Sequence, residues 1–249
     1  VRVVSKPSQY SWNWINISNC FYNSLNYSEL QSTGSNSHLM KNSEWGAVAY
    51  LTQSRYGRNN HEISMNLYYK DNINNAKLTG IGGKSENNQF NTESGMDTST
   101  TGNVYGIYDL SGGNWEYTSG LYSKNTNDYG NELYANTLSK KYTKDDENSQ
   151  LPANSSRYVT IYPINSELIG DDGSIDKYYL IWDKIYGDAV FETSAQCGAN
   201  TGWYNDRADM DSNIGECFFS RGGASATGVG AGIYTFGDDT GEISSVERL

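Results

Sequence analysis

Several residue types are scarce in the sequence, and each shortage argues against a class of structure or function. Its 249 residues include 3 cysteines, 3 prolines and 2 histidines, with 18 basic side chains against 29 acidic ones. No apolar run approaches the roughly 20 residues that a membrane-spanning helix needs, and the longest, residues 46–51, is far shorter. The formal net charge is −11. Because phosphate binding requires clustered Lys and Arg, we expect no nucleic-acid partner.

Zinc and disulfide chemistry are also restricted. Neither His38 nor His61 has a Cys or a second His at ligand spacing, so a catalytic zinc site is not expected. The three cysteines, Cys20, Cys197 and Cys217, allow one disulfide and one free thiol. A bridge between Cys197 and Cys217 and three buried free thiols both stay open as alternatives.

The residues that are abundant favour short strands joined by turns. The chain has 21 tyrosines and 26 glycines, and charged residues make up only 19%. This composition suits strands and turns better than helices, so we expect an α+β protein with little helix. The length fits one large domain, and the acidity is typical of a secreted or cation-binding protein.

Hydrophobic patterns predict two helices and several strands. Apolar residues at helical spacing predict an amphipathic helix over 19–30, and the run around Trp45 predicts a buried helix over 44–54. The polar stretch 121–152 is predicted to be a solvated insertion. Strands are predicted at 1–4, 104–108, 158–162, 178–182 (or a short helix there), 215–219, 230–236 and 243–249.

One stretch, residues 102–120, carries the strongest local signal. A tight turn, Ser111-Gly112-Gly113-Asn114, leads directly into Trp115-Glu116-Tyr117. A half-buried carboxylate between two aromatic residues must find a cation, a metal ion or several N–H donors. We therefore expect a site around Glu116.

Five stretches together resemble one known family. Residues 102–120 are similar to its G-x-Y-D-[LM]-x-G-N-x-W-E-W signature, and 218–223 to its F-x-R-G-G element. Residues 38–51 (His-Leu-Met-Lys-Asn-Ser-Glu-Trp-Gly-Ala-Val-Ala-Tyr-Leu), 187–192 and 201–204 are also similar to it. The family is that of the formylglycine-generating enzyme, or sulfatase-modifying factor. The resemblance implies an elaborated C-type-lectin-like α+β domain over 37–249, with short antiparallel strands, few helices and long irregular loops. Residues 1–36 would be an N-terminal extension or the truncated start of the domain.

The resemblance also implies a structural calcium ion. Carried over residue by residue, its ligands would be Asp109, the carbonyl groups of Gly112 and Asn114, and the carboxylate of Glu116. Calcium accepts such mixed oxygen ligands on an irregular turn. The alternative is that Glu116 pairs with an arginine or caps backbone N–H groups. The family's G-N-x-W reads Gly112-Gly113-Asn114-Trp115 here, so the turn's side chains differ.

The same resemblance argues against catalysis. In the family, two cysteines that follow R-G-G bind copper and engage the substrate thiol. Residues 224–249 contain no cysteine, and Cys217 is single and precedes the motif. Because copper(I) requires sulfur ligands, formylglycine-generating oxidase activity is not expected. We expect a non-catalytic protein.

With catalysis not expected, the function that remains is ligand binding. A branch of the fold includes the variable proteins of diversity-generating retroelements, which display a ligand surface after R-G-G. By that analogy the protein would be a secreted or surface-held bacterial or phage module that adheres to a protein or glycan on another cell or surface. A pilin-like structural or tip subunit is the alternative, and the oligomeric state is open. The predicted contact residues are Ser225, Thr227, Tyr234, Asp238, Asp239 and Thr240.

Other interpretations stay open at this stage. Tyr234 and Phe236 are alternatively core residues beside an ordinary loop. Acidic groups at 171–176 and at Asp206, Asp209 and Asp211 are predicted to be solvated loop acids, with cation binding as the alternative. The chain begins at Val1 without a signal peptide, so we expect a processed or chosen start.

Overall fold

The protein has an α+β fold with few helices and one small sheet. The computed structural model describes residues 6–31, 36–68, 77–123, 158–163, 185–195, 200–210, 218–239 and 247–248. Within these ranges the helices are α1 (Ile17–Gln31), α2 (Asn42–Gln53) and the short α3 (Glu93–Met96). The strands are β1 (Trp115–Ser123), β2 (Thr160–Pro163), β3 (Phe218–Arg221), β4 (Phe236–Asp239) and β5 (Glu247–Arg248).

Helix α1 confirms the predicted helix near the start of the chain. The Asn16 side chain accepts a hydrogen bond from the Asn19 N–H (2.8 Å), which is the usual capping arrangement at a helix start. Ile17, Cys20 and Phe21 are buried at helical spacing. They join the core cluster that also contains the inner residues of the sheet.

Helix α2 confirms the predicted buried helix. The Glu44 side chain accepts a hydrogen bond from the Lys41 N–H (2.8 Å), so a first-turn carboxylate satisfies one free donor at the helix start. Trp45, Gly46 and Ala49 form its buried face. A Cβ on Gly46 would lie 2.1 Å from the Gly187 carbonyl oxygen, so this contact requires glycine.

The sheet is built around β1. Its order is β2-β1-β3-β4, and β5 pairs with the start of β1. The pairs of β3 with β1 and with β4 are antiparallel. Both β2 and β5 run parallel to β1, so the sheet is mixed where antiparallel strands were predicted. Because β1 has neighbours on both edges and buried side chains on both faces, it is the central element of the core.

Several predicted boundaries are wrong. Residues 104–108 form turns with exposed side chains rather than a strand, because the Asn103 and Thr100 side chains bind the local backbone N–H groups. Residues 225–230 form a 3-10 helix, and the strand predicted at 230–236 begins only at Phe236. β1 extends through Ser123, so its last residues replace the start of the predicted insertion.

Some predictions fall outside the described residues. The strand at 1–4, the acidic group at 171–176, the segment 178–182, and almost all of the insertion lie there. Among the described residues, no helix has the length and apolar character needed to cross a bilayer.

Candidate functional site

Two pairs of consecutive glycines meet beside the sheet. The pairs 112–113 and 222–223 all have positive φ, between 73° and 80°, which favours glycine. The Gly112 N–H donates to the Gly222 carbonyl oxygen (3.0 Å). A Cβ on Gly112 would lie 2.5 Å from the Asn66 carbonyl oxygen, so both the turn geometry and the packing require glycine there.

The strand register brings the two sequence motifs together. Glu116 in β1 lies opposite Arg221 in β3. Arg221 is fully buried, and its guanidinium donates hydrogen bonds to the carbonyl oxygens of Asp188 (3.3 Å) and Ala189 (2.8 Å). It also lies over the Trp45 ring, 5.5 Å from the centroid. Burial lowers the pKa of Arg221 to about 10, and nearby carboxylates oppose that shift.

Asp109, the first predicted calcium ligand, is bound by protein donors. Its carboxylate accepts hydrogen bonds from the Asn66 side-chain amide (2.9 Å) and from the Gly80 N–H (2.9 Å). Burial raises the pKa of Asp109, and these two hydrogen bonds oppose the shift. The residue therefore joins Asn66 and Gly80 to the turn, and protein donors bind the carboxylate for which the resemblance implied a cation.

The turn itself contains buried polar atoms that lack partners. Ser111 Oγ, both amide atoms of Asn114, and Ser225 Oγ have no hydrogen-bond partner among the described residues, although all three side chains are buried. The Ser225 N–H donates to the Gly113 carbonyl oxygen (3.0 Å), so the C-terminal segment closes over this turn. Buried polar groups are normally satisfied, which makes this region suited to a water molecule or a cation.

The donor set partly fits calcium. Calcium accepts hydroxyl, amide and backbone carbonyl oxygens, and Gly112, Asn114 and Glu116 keep such oxygens near one turn. In the described part of the chain, no group of three or more His, Cys, Asp and Glu side chains is arranged to hold a metal ion. A cation at this turn would therefore depend on neutral oxygens beside Glu116.

A second polar group surrounds Asp188 and Glu192. The Glu192 carboxylate accepts hydrogen bonds from the Tyr50 hydroxyl (2.8 Å) and the Gly187 N–H (2.8 Å). Asp188 is buried and accepts from the Tyr162 hydroxyl (2.7 Å). Burial raises the pKa of Asp188 to about 7, with Glu192 adding to the shift and the Tyr162 hydrogen bond opposing it. Burial also opposes ionisation of Glu192, but its hydrogen bonds outweigh that and lower its pKa.

Asp206 is a buried acid, and the prediction that it is a solvated loop acid is wrong. One carboxylate oxygen accepts a hydrogen bond from the Tyr234 N–H (2.8 Å). The other points at Gly232, where a Cβ would lie 2.0 Å away, and it has no hydrogen-bond partner among the described residues. Burial raises the pKa of Asp206 to about 8; the Tyr234 hydrogen bond opposes the shift, and Glu62 adds to it.

Tyr234 lies inside the protein, although the analogy predicted that it points outward. It is 0% exposed, and its ring lies 5.1 Å from the Trp203 ring and 6.2 Å from the Tyr50 ring, centroid to centroid. Phe236 is also fully buried. The alternative that both are core residues is therefore confirmed, because the small residues around them let the segment pack closely against α2.

The other predicted contact residues differ in how far they are buried. Ser225 is buried, whereas Thr227, Asp238 and Asp239 are half-buried. The Asp239 carboxylate accepts a hydrogen bond from the Tyr117 hydroxyl (2.7 Å). Thr240 lies outside the described residues.

The remaining acids and cysteines have mixed outcomes. Asp209 forms an ion pair with Arg207, and Asp211 is not described. Cys20 is a buried free thiol, and burial raises its pKa to about 12. Cys197 and Cys217 lie outside the described residues, so their bridge stays a prediction.

Sequence reasoning assigned no role to Asp188, Glu192 or Tyr50. The sequence held one signal for two of them, since residues 187–192 resemble a stretch of the family named above. Their hydrogen bonds join α2, the loop at 187–192 and β2, which are distant in sequence. In comparisons with known proteins, no family model matches the chain, and a search of the curated proteins finds no match.

Proposed function

We propose that this protein is a non-catalytic ligand-binding or adhesive module with a C-type-lectin-like domain of the sulfatase-modifying-factor type. The observation that supports this most is the pairing of Glu116 with Arg221, which joins the two motifs in neighbouring strands of one sheet. The contact between the glycine pairs 112–113 and 222–223 adds to it, because both motifs then form one unit.

We propose that the molecule works outside a bacterial cell or on a phage particle and binds a protein or glycan. The half-buried residues Thr227, Asp238 and Asp239 are the remaining described part of the predicted contact set. Thr227 lies within a 3-10 helix, and Asp238 and Asp239 are the last two residues of β4, whose first two residues are buried. A rigid scaffold with a few outward polar residues is what adaptable recognition surfaces use.

The absence of catalysis is part of the proposal. Residues 224–249 carry no cysteine, so copper(I) would lack the thiolate pair that the formylglycine-generating reaction requires. A titration with copper(I) in the presence of a competing chelator checks this point. Stoichiometric, tight binding by the full chain, lost in Cys217→Ser, would favour the oxidase instead.

Binding is tested with purified full chain on arrays of glycans and of bacterial surface proteins. Thr227→Arg should weaken a reproducible interaction at least tenfold, because a long charged side chain would block ligand contact at this proposed contact residue. Tyr105→Ala is the control, since Tyr105 is 91% exposed in a different loop. The proposal fails if no interaction is found or if Thr227→Arg leaves every interaction unchanged.

A structural calcium ion is proposed at the turn 111–116. Glu116 would supply the charge, and the carbonyl oxygens of Gly112 and Asn114 would complete the site. Ligand binding to the folded state alone raises stability, by about 2.7 kcal/mol at a hundredfold excess over Kd. We therefore expect 2 mM Ca²⁺ to raise the Tm of the wild-type protein and not that of Glu116→Ala. An identical melting curve in calcium and in chelator would contradict this.

A further inference from the structure

Three large aromatic side chains are exposed along one short segment near the start of the chain. Tyr10 is 54% exposed, Trp12 54% and Trp14 61%. The residues between them, Ser11 and Asn13, are less exposed. We call Tyr10, Trp12 and Trp14 the aromatic stripe.

Backbone pairing holds the first part of this segment. Residues 8–11 pair with 77–79: the Ser11 N–H donates to the Lys77 carbonyl oxygen (3.2 Å), and Tyr10 lies opposite Leu78. Trp12 and Trp14 follow this pairing, and Trp14 departs from extended chain with φ 56°. The next residue, Ile15, is buried in the core and fixes the end of the segment.

The stripe shows signs of a recognition surface rather than of incidental exposure. No hydrogen bond or ring contact within the described residues engages the side chains of Tyr10, Trp12 or Trp14. Within the described residues their hydroxyl and indole N–H donors have no partner, and their side chains are more than half exposed. Trp14 also has φ 56°, which is uncommon for a bulky residue.

The lack of charged side chains in this segment restricts the kind of ligand that it can bind. Residues 7–28 contain no Asp, Glu, Lys, Arg or His, although charged residues make up 19% of the chain and its net charge is −11. The neighbouring side chains are neutral amides and hydroxyls, including Gln9, Ser11 and Asn13. Because this stretch carries no charged side chain of its own, it offers little electrostatic gain to an ionic partner.

We propose that the aromatic stripe binds an extended, uncharged polysaccharide. The C–H faces of sugar rings carry partial positive charge and pack on the electron-rich faces of aromatic rings. Sugar hydroxyls pair with the free Tyr and Trp donors and with the neighbouring amides. Three exposed rings within five residues suit a linear chain that contacts more than one ring at a time. This inference does not depend on the proposed contact residues Thr227, Asp238 and Asp239.

Other partners fit the stripe less well. Protein interfaces combine aromatic residues with Met and Arg, and neither occurs in residues 8–16. Segments that lie on membranes usually carry Lys or Arg beside their aromatic residues, and these are also missing here. Neutral polar neighbours around separate rings match a polyhydroxylated ligand.

Affinity electrophoresis of the full chain provides the test. The acidic protein migrates in native gels that contain hydroxyethylcellulose, galactomannan or arabinoxylan, with polygalacturonate as the anionic comparison. We expect at least one of the three neutral polymers to retard the wild-type protein. The double variant Trp12→Ala/Trp14→Ala should lose affinity at least tenfold. Trp12→Phe/Trp14→Phe, which keeps ring faces, should stay within about threefold of wild type.

The control is Tyr56→Ala/Tyr105→Ala, which removes two exposed rings elsewhere and should bind like wild type. Melting curves establish that the variants are folded; if the double variant is not, single Trp12→Ala and Trp14→Ala should each lose at least threefold. The proposal is overturned if no neutral polymer retards the protein, if only polygalacturonate does, or if the alanine variants bind like wild type. It is also overturned if the stripe instead mediates a dimer, seen by sedimentation as a wild-type dimer and a monomeric double variant.

Discussion

Two aromatic regions of this molecule have opposite surroundings. The C-terminal segment was predicted to display its tyrosine, yet Tyr234 is fully buried against Trp203 and α2. The N-terminal segment was assigned to an extension or to the truncated start of the domain, with no binding role, yet Trp12 and Trp14 are more than half exposed. The difference shows that residue type alone does not indicate a binding surface. The residues around each ring decide whether it can pack.

Small neighbours explain the burial of Tyr234. Residues 222–232 contain several glycines and alanines, so the backbone approaches α2 closely. The Trp45 indole donates to the Ile233 carbonyl oxygen (2.7 Å), and the Tyr234 hydroxyl reaches the Ala49 carbonyl oxygen (3.4 Å). In the N-terminal segment, residues 8–11 pair with 77–79, and the Tyr10 side chain within this pairing is 54% exposed.

The largest expected effect is on the buried ring. Tyr234→Ala should lower the free energy of unfolding by about 3–5 kcal/mol, because it leaves a cavity among three aromatic rings. Urea denaturation measures the change. A loss below 1 kcal/mol would end the contrast between the two regions, since Tyr234 would then contribute no more than an exposed ring.

The next effect concerns the helix that supports Tyr234. Gly46→Ala should cost about 1–3 kcal/mol or more, because the new methyl group would lie 2.1 Å from the Gly187 carbonyl oxygen. Ala47→Gly, at an exposed position of the same helix, is the control and should cost about 1 kcal/mol or less. Equal losses from the two substitutions would indicate that α2 is not packed tightly against the loop at 187–188.

A smaller effect depends on pH. The pKa of Asp206 is raised by burial to about 8, so the folded state holds a proton that the unfolded state releases. This contribution is complete below the unfolded pKa of about 4 and is lost as pH rises to about 8. Stability of the wild type should therefore fall between pH 5 and 8.

Asp206→Asn removes the carboxyl group whose protonation differs between the folded and the unfolded state. Its stability should fall less steeply than that of the wild type over the same pH range, while Asp188, with a pKa of about 7, still contributes in both proteins. Urea midpoints at pH 5, 6.5 and 8 measure the two slopes. Parallel slopes would mean that Asp206 is ionised across the whole range.

The smallest effect is expected for the exposed rings. Trp14→Ala should change the free energy of unfolding by no more than about 0.5 kcal/mol, because its side chain is 61% exposed and has no ring contact among the described residues. Thermal melts of this variant and of Tyr105→Ala, which should agree, provide the check. A loss above 2 kcal/mol would mean that the stripe supports the fold.

Much of the fold was predictable because local patterns determine it. The apolar spacing of Phe21, Leu25 and Leu30 and the alanine-rich run after Trp45 predicted both long helices. The strand before Gly222 was also predicted near its observed position, whereas the strand Trp115–Ser123 was not predicted. The strand predicted at 104–108 was wrong. Its β-branched and aromatic residues lie in irregular chain, where the Asn103 and Thr100 side chains accept hydrogen bonds from backbone N–H groups.

The site was less predictable, because its atoms come from distant segments. Glycine at 112, 113, 222 and 223 indicated tight turns, but only the fold shows that the two pairs contact each other. Asp109 was expected to face a cation, and its partners Asn66 and Gly80 are donors from loops that carry no motif. These two hydrogen bonds join residues that are 43 and 29 positions apart, and bonds over such separations give no periodic pattern in the sequence.

The sequence by itself determined the class of fold, the helices, the glycine turns and the absence of cysteine from residues 224–249, because each depends on residue type or near-neighbour spacing. Only the tertiary structure decided which acids are buried, which polar atoms lack partners, and which aromatic rings reach the surface. Burial depends on what packs against a side chain, and in this protein those neighbours are supplied by loops far away along the chain.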